Sequence, residues 1–254
     1  MLFSIDSYVL NKEKIGEIDY LIELLTPKGK VWAVAKGAQK SKKRFLNILE
    51  DSTFLKCHLR KTKKGNLPIL EKADVIFISE KARRDLKVYA FFSYINEVIS
   101  KISYPGLTSE YFYFIKNLLL EIEKRGFFIY DKIFFEQKLL FYLGYYPNWK
   151  NCIKCGKPFN RLAFLNFSEG AIFCVNCKGE NGILIEPKLL KFFQNFFEIY
   201  KNFTNLKATD YGNIIDKKVL ENAINMSEKI FLYLLSFEIK SLQVLKNFIL
   251  LEEG

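Results

Sequence analysis

Four of the five cysteines stand as Cys152-Ile-Lys-Cys155 and Cys174-Val-Asn-Cys177. Two residues between thiolates let one tight turn bring both sulfurs about 2.3 Å from a single ion, and the C-x2-C-x18-C-x2-C spacing falls in the range of tetrahedral zinc sites. Four cysteine ligands close the coordination sphere, so the expected cofactor is one structural Zn²⁺ and not a catalytic one. Gly156 and Gly179 follow the two pairs and relieve each turn. Two disulfides are the competing use of these residues, but nothing in the sequence calls for an oxidising compartment. Cys57 stands apart and reads as a small buried hydrophobe.

A second constellation is cationic. Lys36, Lys40, Lys42, Lys43 and Arg44 put five cations and no acid into nine residues. Lys61, Lys63 and Lys64 decorate a later turn. Such a loop, mobile at the surface, suits phosphates and carries no base readout. Trp32 lies just upstream and alternates with Val31 and Ala33, so it is either a stacking platform for a base or a packed side chain. The whole chain points the same way. Lys plus Arg is 39 against 28 for Asp plus Glu, a formal net charge of +11. Filling the metal site lowers that to about +9. A surplus of this size favours a polyanionic partner, nucleic acid before acidic lipid, over mere solubility.

Catalytic chemistry is harder to find. His58 is the single histidine in 254 residues, and its place in a strand-like run suits a solvated ring. There is no G-x-x-x-x-G-K-[ST] phosphate loop, no G-x-G-x-x-G and no G-x-S-x-G elbow. The carboxylates are scattered among lysines along helices, as on solvated faces. The sequence therefore offers no converging catalytic set, and the chain is not expected to be an enzyme.

The elements that must hold these residues read as α+β. Residues 1–79 alternate with period two: Ile5–Leu10, Ile18–Thr26, Lys30–Ala35, Phe54–Arg60 and Ile69–Ile78 give five strands. Pro27-Lys28-Gly29 turns the second into the third. Five strands in so short a span predict an OB-like barrel, the type that binds oligonucleotides, with an SH3-like barrel as the alternative. Residues 80–254 change to helical period. Leu86, Tyr89, Ala90, Ser93, Tyr94 and Val98 line one face of a helix that begins near Ser79 or Glu80 and stops at Pro105-Gly106. Thr108 or Ser109 caps the next, over 109–125, and others follow over 128–144, 187–202, 217–236 and 241–251. Leu162–Phe167 and Ala171–Cys174 form a hairpin about Ser168-Glu169-Gly170, so a four-Cys zinc ribbon is inserted in the helical domain at about 150–182. Tyr111–Phe114 and the set Phe192, Phe193, Phe196 and Phe197 cannot share one helix face, so either both faces are buried or one is left for a partner. Apolar residues are 50% and charged residues 26%, an ordinary globular mix. No apolar run is long enough to span a bilayer and no basic n-region opens the chain, so a cytoplasmic protein without a membrane partner is expected.

Several stretches together resemble the RecO family of bacterial recombination mediators. Tyr8-Val9-Leu10 with Gly16-Glu17 is similar to the family's opening strand. Leu24-Leu25-Thr26, Gly29 and Val34-Ala35-Lys36-Gly37-Ala38 resemble its strand 2–strand 3 hairpin and basic loop. Leu143-Gly144-Tyr145 leading into Cys152-Ile-Lys-Cys155-Gly156 resembles the entry to its zinc module, and Lys240-Ser241-Leu242 its closing helix. Trp32 and Gln39 depart from the polar or basic residues commoner there. The resemblance implies a non-enzymatic protein that binds single- and double-stranded DNA, anneals complementary strands and joins RecR. The pair then remodels single-strand-binding protein so that RecA can load. It also implies a site for that binding protein's acidic C-terminal tail, which Lys116 or Lys191 suits. A zinc-ribbon factor of transcription or translation, and a nucleic-acid-modifying enzyme with an OB appendage, are the alternative functions.

Overall fold

The structure, a computed structural model, describes residues 1–63, 66–102, 109–204 and 216–250. Five N-terminal strands make the barrel: β1 (Leu2–Ile15), β2 (Asp19–Thr26), β3 (Gly29–Ala35), β4 (Phe54–Arg60) and β5 (Ile69–Phe77). β1 is long enough to serve two neighbours, pairing Leu2–Tyr8 with β4 and Tyr8–Ile15 with β2. β2 pairs with β3 and β4 with β5, all antiparallel. The order β1-β2-β3-β5-β4 closes where β3 and β5 meet at one parallel pair, Val34 and Ile69. That seam makes it the partly open, five-stranded OB-like barrel expected. Period two decides what goes inside: Ile22, Leu24, Ala33, Ala35, Leu55, Cys57 and Leu59 form its core. Cys57 is fully buried there, and burial raises its thiol to about 11.

The turn at Pro27-Lys28 is two residues long, and Gly29 takes a φ of 104° that a side chain would resist. Outside the barrel, the predicted first helix is two: α1 (Glu80–Arg84) and α2 (Leu86–Lys101). Asp85 divides them. Its backbone is extended, and its carboxylate accepts from the N–H of Lys87 and Val88. A residue that caps one helix cannot continue another. The buried face of α2 also differs from the predicted one. Val88, Phe91, Phe92, Tyr94 and Ile95 are inside, whereas Leu86 and Tyr89 are exposed. Tyr8 at the barrel donates to Asn96 of α2 at 2.6 Å. Pro105, Gly106 and Thr108 lie outside the described residues.

α3 (Ser109–Arg125), α4 (Ile129–Tyr142), α5 (Pro187–Thr204), α6 (Lys217–Leu235) and α7 (Lys240–Leu250) complete the helices. Most of the aromatic excess is core: Tyr111, Phe112, Phe114, Phe192, Phe193 and Phe196 are buried, and Tyr113 is exposed. Both faces of α3 and α5 are thus largely used within the fold. The ribbon holds β6 (Ala163–Asn166) and β7 (Ala171–Phe173), as the hairpin predicts, and a third strand, β8 (Ile183–Ile185), pairs with the other edge of β6.

The chain divides into two compact units, 1–127 with 239–254, and 128–238. In the first unit α2 packs against β1 of the barrel and α7 packs against α2. Within the first unit, Glu97 of α2 accepts from the N–H of Lys240 and Ser241, holding the start of α7. Among the described residues no helix is long and apolar enough to cross a membrane.

Candidate metal centre and nucleic-acid interface

The two cysteine pairs sit on tight turns closed by backbone hydrogen bonds. Gly156 N–H donates to Cys152 O at 2.8 Å, and Cys177 N–H to Cys174 O at 3.0 Å. Gly156 takes a φ of 71°, as its turn requires. Gly179 meets no such demand; its backbone is ordinary, so only the first turn uses glycine's freedom. Ile153 N–H donates to Ile172 O at 3.1 Å, which brings the two turns together. All four sulfurs lie within 4.8 Å of one another, and Cys155 and Cys174 are 3.8 Å apart. A regular tetrahedron with metal–sulfur bonds of about 2.3 Å has edges of about 3.8 Å, so the four residues fit one tetrahedral ion.

The thiols alone would not ionise together. Burial opposes the Cys152 thiolate, but the backbone N–H groups of Cys174, Cys155 and Lys154 outweigh it and bring the thiol down to about 6. Cys177 is held up at about 12, first by its bond to Cys174 and then by burial. A divalent cation removes the conflict because its charge favours every thiolate. Cys152, Cys155, Cys174 and Cys177 can therefore hold a metal ion.

The cationic loop follows β3. Lys36, Lys40, Lys42, Lys43 and Arg44 are all exposed. Their backbone is not the free strap that the composition suggests. Gly37 N–H donates to the Asp19 carboxylate at 2.7 Å, and Gln39 donates from Nε2 to Asp19 O at 2.7 Å. Ala38, Phe45 and Leu49 are buried in the barrel core. Lysines thus project from a segment fixed to the β1–β2 turn and the barrel interior. Arg44 differs from the lysines. Its guanidinium donates to Lys36 O and lies 4.5 Å from the centroid of the Phe45 ring, so it braces the loop. Sequence reasoning missed Asp19 and Gln39 as anchors, because a side chain bonding to a distant backbone leaves no periodic mark.

Lys61 and Lys63 are exposed at the β4–β5 turn, and Lys64 lies outside the described residues. β5 starts beside the end of β3, through Val34 N–H to Pro68 O at 2.9 Å, so that turn and Lys36 share one end of the barrel. Trp32 is half-buried on the outer face of β3, opposite Glu23. Glu23 is itself buried, 3.5 Å from Lys30 Nζ and accepting from the Ser100 hydroxyl. The structure brings Trp32 beside a buried acid.

His58 is more engaged than a solvated ring. Its Nδ1 is 2.8 Å from Ser4 Oγ and its Nε2 2.8 Å from the Asp74 carboxylate, with Lys72 Nζ 2.5 Å from the same carboxylate. With Nε2 protonated, the ring accepts from Ser4 and donates to Asp74, linking β1, β4 and β5 across the sheet. Lys72 and then His58 hold Asp74 below the usual carboxylate range.

Residues 1–78 match the family model described as Recombination protein O N terminal, and residues 83–226 that described as Recombination protein O C terminal. The DNA repair protein RecO of Thermoanaerobacter sp. (strain X514) is 34% identical over 185 residues, 70% of this chain and 72% of the relative. That of Caldanaerobacter subterraneus subsp. tengcongensis is 30% identical over 195 residues, covering 74% and 76%. That of Desulfosudis oleivorans is 26% identical over 263 residues, covering 96% and 97%. The two models in order span the barrel, α2 to α5 and the four-Cys ribbon, and the chain belongs to the RecO family of DNA repair proteins.

Proposed function

We propose that the chain is a non-enzymatic recombination mediator. It binds single- and double-stranded DNA through the barrel edge and anneals complementary strands. With a RecR partner it helps load RecA onto DNA coated by single-strand-binding protein, whose C-terminal tail it also engages. The ion in its ribbon is one structural Zn²⁺. The observation that carries the reading is the Lys36–Arg44 loop: five exposed cations, no acid, on a backbone anchored to Asp19 and the barrel core. An anchored row of cations meets phosphates without first losing backbone entropy.

The experiment is annealing of complementary oligonucleotides by the purified protein without nucleotide, beside binding over a salt series. Annealing is expected without hydrolysis. Lys40, Lys42 and Lys43 changed together to Ala should flatten the slope of log affinity against log salt by about 2 for single strands, at about 0.7 per phosphate. An unchanged slope places the DNA surface elsewhere.

A further inference from the structure

The ribbon carries a charge pattern that a merely structural module does not need. From Gln137 to Ser168 there are 32 residues without Asp or Glu. Within them Lys150, Lys154, Lys157 and Arg161 recur every three to four positions, and all four are exposed. Among the described residues none of the four has an ion-pair partner. The backbone gathers them: Cys152 N–H donates to Lys157 O at 2.9 Å, and Phe159 N–H to Lys150 O at 3.0 Å.

Beside this row lies a groove of about 300 Å³ between the segment after the first cysteine turn and the start of the second. Its apolar wall includes Leu162 and Val175, which are 44% and 48% exposed. Its polar rim includes Lys157, Arg161 and the amides of Asn160 and Asn176. Exposed apolar side chains beside free cations are a mixed surface that water serves poorly. The occupant must be anionic along a line, flat and apolar on one face, and edged with both donors and acceptors. A single-stranded nucleotide segment has all three properties. An acidic peptide also pairs with amides through its backbone, but its charges sit on spaced side chains, whereas a nucleotide strand carries one charge per residue beside a flat base.

We propose that the zinc ribbon is a second single-stranded nucleic-acid contact. Phosphates run along Lys150, Lys154, Lys157 and Arg161, and one base enters the groove against Leu162 and Val175, its edge at Asn160 and Asn176. The proposal rests on the DNA-binding reading above but uses a surface separate from the barrel loop.

The test uses the full chain and three variants, each checked for metal content and thermal melting. Lys157→Ala with Arg161→Ala should lower the single-strand salt slope by about 1.4, that is 0.7 for each lost phosphate contact. Leu162→Ser should keep the slope and lose preference for oligothymidylate over an abasic strand of equal length. The barrel variant Lys40→Ala, Lys42→Ala, Lys43→Ala is the third arm. A slope that falls in the barrel variant alone overturns this inference and leaves the barrel reading standing. A slope that falls in the ribbon variant alone supports the ribbon and removes the barrel. If the ribbon variant keeps wild-type DNA binding but loses binding of a synthetic acidic, Phe-terminated peptide, the groove is a peptide site and the inference fails.

Discussion

Lys132 brings a charge into the helical unit with no exposed surface at all. Its Nζ is 2.6 Å from the Glu136 carboxylate and 3.3 Å from that of Glu228. Glu136 also accepts from the Ser227 hydroxyl at 2.6 Å, and Gln137 donates to Ser227 at 3.1 Å. Removing one member of such a group strands the others without water. Lys132→Met should therefore destabilise the 128–238 unit by about 3–5 kcal/mol, whereas adding Glu136→Leu should recover much of the loss. Urea unfolding of the two variants checks this, and a loss below about 1 kcal/mol in the first would show the charge to be poorly buried. Sequence reading did not find this cluster: Lys132 and Glu136 look like any i, i+4 pair on a wet helix face, and only the fold shows that face turned inward.

At the scale of elements, helix ends carry several long-range ties. Glu97 is the clearest. Burial pushes its carboxyl up, but the bonds from Lys101 and from the N–H groups of Ser241 and Lys240 outweigh it, leaving the group at about 2. A carboxyl lowered in the folded state gives stability that is full above the unfolded value near 4.5 and is lost as pH falls towards 2. Its side chain is 19% exposed, so solvent screening reduces the contribution to about 1–2 kcal/mol. Glu97→Gln should cost that much at pH 7 and almost nothing near pH 2; an equal cost at both pH values would remove the charge from the account. The ribbon is the other element with a sharp expectation. Cys152→Ser should lower zinc from about one ion per chain to near none by elemental analysis, and loosen β6–β8, while the Tyr8–Asn96 contact and the rest of the first unit keep their melting behaviour. The strands β2 to β5, the clustering of the four cysteines and the cap at Asp216 were legible because period, spacing and residue type each leave a local mark. The break at Asp85 and the strand Ile183–Ile185 were not, since one depends on which of two uses a carboxylate takes and the other on an edge that only β6 supplies.

For the whole molecule, the sequence shows charge and chain order but not how the chain is divided. The basic surplus and the acid-free loop at 36–44 were plain in the residue types, and they lead directly to the barrel edge. That α7 belongs with the barrel's unit could not be read, because nothing in Lys240–Leu250 names Glu97 as its partner. Ile239, Leu242 and Leu245 are buried there. A chain cut after residue 238 should therefore keep its metal and the folded 128–238 unit, but expose α2 to limited proteolysis; protection of α2 equal to that of the full chain would show α7 to be dispensable. The same arrangement bears on how the protein is made. A ribosome delivers the barrel strands first and α7 after the entire second unit, so the first unit stays unfinished until residues 128–238 have been made. A product terminated within residues 128–238 would thus leave the Glu97 carboxylate of α2 without the N–H donors of Lys240 and Ser241.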